Sequence, residues 1–307
     1  VETIQGIEQF KPNTATALTI GTFDGVHIGH GQILERLING AKKAGLKSAV
    51  LTFFPHPRMV LQQDSDIKLL NTLTEKQQIL AATGLDYLIV HPFTKEFSRL
   101  SALEFVRDKL VNGLNAKKVI IGYDHRFGRN RNANISDLIT YGNTFDFGVE
   151  EIPVQEIDEV SVSSTKIRKS LLSGDIITAN TYLGYNYMLT GTVQQGKGLG
   201  REIGFPTANI TPTEAYKLIP QNGVYVVKAE HNNMLLHGMM NIGFNPTVAG
   251  KTKSIEIHFF DFKEDLYGKT IQIQFLKKIR DEHKFESVEL LRQQLEKDKR
   301  TSLGVIS

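Results

Sequence analysis

Short apolar runs alternate with amphipathic helical stretches over the first half of the chain, and that alternation restricts the fold more than any other feature. Ala17–Ile20, Ser48–Phe54, Tyr87–Val90, Val119–Ile121 and Val149–Val154 read as strands. Between the first two, Ile33, Leu34, Leu37, Ile38 and Ala41 form a helical stripe that Gly45 closes. Thr74–Gln77 and Ser101–Glu104 have the capping-box pattern, with helices expected to stop at Gly84 and near Gly113. Strand–helix alternation at this spacing predicts an α/β unit, a parallel sheet with helices on both faces.

The texture changes near residue 185. Met188–Val193, Val224–Ala229, Leu235–Ile242, Ile255–Phe260 and Ile271–Phe275 are short β-rich runs, and His231–Asn233 is a turn between two of them. They predict a small antiparallel barrel or sandwich. One helix follows, with Ser287 as its N-cap and Val288, Leu291 and Leu295 as its stripe. The boundary is expected at 184–187, giving domains 1–185 and 186–307. A chain of 307 residues has room for both cores.

A net charge of +3 is too small to demand nucleic acid or an acidic membrane as partner. The absence of cysteine excludes disulfides, thiolate metal sites and cysteine nucleophiles, and fits a cytoplasmic protein. No apolar run reaches the length of a membrane span, and no signal-peptide pattern opens the chain. Val1 in first place implies a removed initiator Met or a trimmed start.

Ligands of parallel sheets bind at the carboxyl ends of strands. Gly21-Thr-Phe-Asp-Gly-Val-His-Ile-Gly-His30 stands at such an end, where a strand hands over to a helix. Helix starts collect anions, glycines let backbone approach a phosphate, and spacing of three puts His27 and His30 on one side of the first turn. Ser163-Ser-Thr-Lys-Ile-Arg168 sets hydroxyls and basic groups at another helix start, suited to phosphate oxygens. Phe54, in Phe53-Phe-Pro-His-Pro57, can stack on a flat ring or plug the core. Arg126, Arg129 and Arg131 are a basic cluster suited to phosphate or to solvent. In the second half, Gly196–Arg201 is a flexible basic loop, and Thr207 and Asn209 offer neutral oxygen ligands of the kind Mg²⁺ takes. Alternation sets Glu256, His258 and Phe260 on one strand face, where Glu256 serves as a general base or as a solvated carboxylate. Each string read singly also has an ordinary structural use, as a cap, a turn or a solvated face.

Together these strings carry a resemblance. GTFDGVHIGH, FFPHP, GYDHRFG and SSTKIR, then GKGLGREIGFPTAN, PQNGVY, NIGFNPT, IEIHFFDF, DLYG and IRDEHKF resemble, end to end, the bacterial bifunctional riboflavin kinase/FAD synthetases. The resemblance implies a Rossmann-like nucleotidyltransferase domain followed by a small barrel. It implies an enzyme that phosphorylates riboflavin to FMN and adenylylates FMN to FAD, with ATP as co-substrate and Mg²⁺ as cofactor. On it, Gly21, Thr22, Phe23, Asp24, His27, His30, Ser163, Ser164, Thr165 and Arg168 hold one nucleotide, with His27, His30 and Arg168 stabilising charge as pyrophosphate departs. Gly196, Lys197, Gly200 and Arg201 hold the other. Glu256 takes the ribityl hydroxyl proton, Thr207 and Asn209 hold the metal, and Phe54, His56, Pro57, Asp124, Arg126 and Arg280 contact flavin. His125 departs from the family, which often has Phe there. The partners are riboflavin, FMN and ATP, with no nucleic acid and no membrane; the oligomeric state stays open. HIGH also marks class I aminoacyl-tRNA synthetases, but the chain has no KMSKS-like loop beyond SSTKIR and no tRNA-binding extension. A non-enzymatic flavin- or RNA-binding barrel leaves GFPTAN and Glu256 unexplained.

Overall fold

The computed structural model describes residues 1–11, 13–62, 66–122, 125–152, 162–195, 199–247 and 250–306. Its contacts divide into two compact units, Val1–Lys68 with Leu73–Ser163 and Leu69–Thr72 with Ser164–Ser307.

The first unit is built on strands β1 (Glu2–Gln5), β2 (Thr16–Ile20), β3 (Lys47–Phe53), β4 (Tyr87–His91), β5 (Ala116–Gly122) and β6 (Gly148–Ile152). They form one parallel sheet in the order β1-β4-β3-β2-β5-β6. Alternate residues feed two cores. Ala17, Val50, Leu88 and Ile120 pack with Leu34, Leu37 and Ala41 of helix α1 (Ile28–Ala44) on one face. Leu18, Leu51, Ile89 and Val119 pack with Phe105, Leu110 and Leu138 on the other. Gly45 ends α1 in the left-handed region at φ 67°. The Ser101–Glu104 capping box is present in full. The one expected at Thr74–Gln77 is not, because the helix Leu73–Ala81 has begun a residue earlier and Thr74 lies inside it. The extra strand β1 is an edge strand of four residues, too short to show alternation.

The second unit is a closed antiparallel barrel of β7 (Met188–Gln194), β8 (Ala208–Pro212), β9 (Gly223–His231), β10 (Met234–Thr247), β11 (Gly250–Phe259) and β12 (Thr270–Arg280). Closure removes the free edges that open sheets must protect. Asn232 and Asn233, both with positive φ, make the two-residue turn between β9 and β10. The sequence reading lacks β8, because its Asn, Thr and Pro read as loop chemistry; pairing to β7 and β11 overrides that propensity. The helices Ser164–Ser173 and Ile176–Leu183 also belong to this unit. The Gln221 N–H bonds Leu171 O, and Asn180 bonds both Phe275 O and the Tyr187 N–H.

The C-terminal helix Val288–Ile306 covers the outer barrel face. Ser287 caps it as expected, its Oγ accepting the Leu290 N–H at 3.2 Å. The expected stripe holds in part: Leu295 packs with Ile306 on the barrel and Leu291 is half-buried, while Val288 is 55% exposed and Asp298 is buried. Arg280 donates to Asp298 from Nε at 3.0 Å to each oxygen and from Nη2 at 2.7 Å. Removing one partner of a buried ion pair strands the other charge. Asp298→Ala is therefore expected to destabilise the protein by about 3 kcal/mol, the loss typical of such a break, measured by chemical denaturation of the full chain followed by circular dichroism.

Candidate active sites

The first site begins where β2 ends. β2 lies between β3 and β5, the point at which strand order reverses and a crevice opens at the carboxyl edge. Gly21–His27 joins β2 to α1. Gly25 takes φ 87°, and Phe23 and Val26 take φ 47° and 36°, so the loop turns tightly on itself. Phe23, Asp24 and His27 are buried within it.

His27 is the N-cap of α1, its Nδ1 accepting the His30 N–H at 3.4 Å. A neutral imidazole that accepts on Nδ1 carries its proton on Nε2. The two rings stack at 3.7 Å with 18° between planes. Gly29 permits this, since a Cβ there would lie 3.3 Å from the His27 ring. Phe23 closes on His30 with ring centroids 4.9 Å apart. His30 Nδ1 is buried and has no hydrogen-bond partner among the described residues. Burial pushes His27 down to about 4, with Asp24 pulling the other way. Burial also holds His30 well below its ordinary range, helped by the charges of His27 and Lys76. Both rings are neutral at pH 7.

Lys76, absent from the sequence candidates, lies against the same loop. It is 7% exposed and donates to the Thr22 carbonyl at 2.6 Å. Burial pushes its ammonium down to about 8 against the attraction of Asp24. A signal was present: Leu73, Lys76 and Leu80 share one helix face, so a lysine interrupts an apolar stripe.

The other first-unit candidates are placed as follows. Phe54 packs, partly buried, against the α1-side core. His56 caps the helix Pro57–Leu61, its Nδ1 accepting the Arg58 N–H at 3.1 Å. Arg126 is exposed, and Asp124 lies outside the described residues. His125 stacks on Phe127 at 6.3 Å and 24°, so its imidazole fills an aromatic place. Ser163 is exposed at the end of the first unit; Ser164, Thr165 and Arg168 open a helix of the second.

The second site forms where three strands lie side by side. Asn209 of β8 pairs with Glu256 of β11, and Asn241 of β10 pairs with Glu256 on its other edge. Directly paired residues share a sheet face. The Thr207 hydroxyl donates to Glu256 Oε2 at 3.5 Å, which joins Thr207 to that row. His258 Nδ1 donates to the Pro206 carbonyl at 2.8 Å, which ties down the segment leading into Thr207. Gly200 passes so close to the Phe205 carbonyl that a Cβ would collide with it. A cavity of about 470 Å³ opens at Thr207, walled also by Arg201, Ala208, Ile257, Phe259 and Tyr267; Ala208 and Ile257 alternate with Asn209 and Glu256 onto the other strand face. Gly196 and Lys197 lie outside the described residues. Arg280, expected on flavin, spends its guanidinium on Asp298 and on the Asp281 carbonyl.

A family model described as FAD synthetase matches residues 9–166, and one described as riboflavin kinase matches residues 183–305. The chain belongs to the bifunctional riboflavin kinase/FAD synthetase family. It is a transferase with both activities, riboflavin phosphorylation and FMN adenylylation, and it uses ATP. Proteins named bifunctional riboflavin kinase/FMN adenylyltransferase are 40% identical in Listeria monocytogenes (92% of this chain, 89% of that one) and 36% identical in Escherichia coli K12 (97% and 96%). A crystal structure described as a macrolide-efflux protein from Streptococcus pneumoniae is 31% identical, with a TM-score of 0.90 over 98% of this chain and 99% of that one. No described helix of this chain is long and apolar enough to cross a membrane.

The buried imidazole gives the family's first site an acid sensitivity. Unfolded histidine titrates near 6.5, while folded His27 holds off protonation to about 4. The unfolded chain therefore binds more protons across that window, and folding stability falls as pH drops from 6.5 to 4. His27 is expected to contribute about 3 kcal/mol of that loss, from its shift in pKa. Thermal unfolding of the full chain from pH 4 to 7 measures it, and His27→Gln should flatten the slope.

Proposed function

We propose that residues 1–185 carry FMN adenylylation and residues 186–307 carry riboflavin phosphorylation. The observation that carries the kinase reading is the meeting of Thr207, Asn209 and Glu256 on one barrel face, with Thr207 also lining the cavity. Two neutral oxygens and a carboxylate form the hard, all-oxygen set that Mg²⁺ takes together with water and substrate phosphates. The residues fit that ion, with Thr207 and Asn209 as its ligands. When bound, Mg²⁺ would neutralise charge on the nucleotide phosphates.

Glu256 accepts the proton of the ribityl 5′-hydroxyl as the oxygen attacks the γ-phosphorus of ATP, and ADP leaves. Arg201 and Gly200 serve the nucleotide in the cavity, Gly200 by allowing the Phe205 backbone close. In the first module a phosphate oxygen of FMN attacks the α-phosphorus of a second ATP, and pyrophosphate leaves. The loop 21–24 and the α1 N-terminus bind the triphosphate, where the free N–H groups point and the macrodipole is positive. His27, with its proton on Nε2, and His30, with Nδ1 unpartnered, offer hydrogen bonds to phosphate oxygens. Ser163, Ser164, Thr165 and Arg168 are further phosphate ligands on the family resemblance. Phe54, His56, Pro57, Asp124 and Arg126 are the proposed FMN contacts. The substrates are small soluble molecules, and the reading places the enzyme in the cytoplasm.

Chromatography of the full chain incubated with riboflavin, ATP and Mg²⁺ tests the assignment: FMN and then FAD should accumulate, and neither product under oxidising or reducing conditions would sink it. Two substitutions separate the modules. Glu256→Gln keeps size and a hydrogen bond but cannot take a proton, so FMN formation should fall about 10²–10⁴-fold while added FMN still becomes FAD. Excess Mg²⁺ should partly rescue Thr207→Ala and Asn209→Ala but not Glu256→Gln. His30→Ala should abolish FAD formation and leave FMN formation near wild type; loss of both activities in a folded variant would contradict separate sites.

A further inference from the structure

The first site has a charge problem that its histidines do not solve. A nucleotide triphosphate brings several negative charges, and adenylyl transfer concentrates charge on the departing pyrophosphate. His27 and His30 are both neutral at pH 7, each ring desolvated by burial, and His27 further opposes protonation of His30. They can direct hydrogen bonds, yet they bring no net charge.

Lys76 is the buried cation of that loop. It projects from the helix Leu73–Ala81 at 7% exposure, and its Nζ donates to the Thr22 carbonyl at 2.6 Å. Thr22 lies in the segment between β2 and the His27 cap. A second bond converges there, from Thr52 Oγ1 to the same carbonyl at 3.2 Å. Asp24 of the loop attracts the Lys76 ammonium, and that ammonium in turn opposes protonation of His30, stacked on His27 at the start of α1. Packing does not explain a lysine here. Its neighbour one turn on, Leu80, is fully buried, and a Leu or Met at 76 would continue that face without desolvating an ammonium.

We propose that Lys76 is a positioning residue for adenylyl transfer: anchored on the Thr22 carbonyl, it fixes the nucleotide loop and supplies a buried positive charge beside the His27–His30 pair. It transfers no proton. The bond that forms is between an FMN phosphate oxygen and the α-phosphorus, and the bond that breaks links that phosphorus to the β-phosphate oxygen. The inference rests on reading this loop as the adenylyltransferase site.

Three full-chain variants test it: Lys76→Met, Lys76→Gln and Lys76→Arg. FAD formation from added FMN is measured from pH 6.5 to 10, with KM for ATP and kcat taken separately. Riboflavin phosphorylation by the same samples and their circular dichroism serve as controls. Wild-type FAD formation is expected to fall above about pH 8 as Lys76 loses its proton. Lys76→Met and Lys76→Gln should lose about 10²-fold in kcat/KM for ATP, the loss typical of one charge-stabilising donor, and should lack that alkaline limb. Lys76→Arg should recover most of the activity and move the limb to higher pH, because guanidinium stays charged. Phosphorylation should be unchanged in all three. Wild-type kinetics in the Met variant overturn the proposal. So does an alkaline limb that is the same in wild type and Lys76→Arg, because a merely structural lysine would give that result. Failure of the wild type to make FAD from FMN at any pH would instead remove the reading of the loop.

Discussion

The parallel pairing of β2 with β3 on one edge and β5 on the other is the constraint from which the first site follows. Parallel strands need crossovers, and crossovers place helices on both faces. At β2 successive crossovers diverge, so no connection covers the carboxyl end. The chain must turn there from strand to helix within seven residues, Gly21–His27. Left-handed φ at Phe23, Gly25 and Val26 makes the turn, and a histidine cap starts α1. The first N–H groups of α1 are left there without intrahelical acceptors.

Water exclusion then decides what that site can do. The same burial that stacks two imidazoles at 3.7 Å strips them of charge. It also makes the Lys76 ammonium costly and electrostatically strong, because fields are less screened in a dry loop. The loop therefore separates two tasks, with directed hydrogen bonds from the rings and charge from the lysine.

The second unit uses closure instead of crevices. A six-stranded barrel fills its interior with apolar residues such as Tyr225, Ile257, Ile273 and Phe275. Polar chemistry is therefore left to the outer face, where Asn209, Glu256 and Asn241 align across β8, β11 and β10. The C-terminal helix covers the neighbouring apolar part of that face, around Val224, Met239 and Phe260. Arg280 and Asp298 hold β12 and the helix together.

Periodicity and short strings determined much of this protein. Strand–helix alternation set the parallel sheet, β-rich runs set the barrel, and the HxGH cap and the Glu256 face were readable, because backbone sterics and side-chain direction are local and periodic. Pairing and desolvation are not local. Asn209 read as a loop residue until β7 and β11 recruited it into β8. Lys76 was not among the candidates, and the fold buries it against the Thr22 carbonyl. Nothing near Arg280 in sequence announced its pairing with Asp298, 18 residues on in the C-terminal helix. The sequence by itself determined which elements form and which residues can do chemistry; only the tertiary structure decided which of them meet and which lose their water, because both depend on contacts between segments distant in the chain.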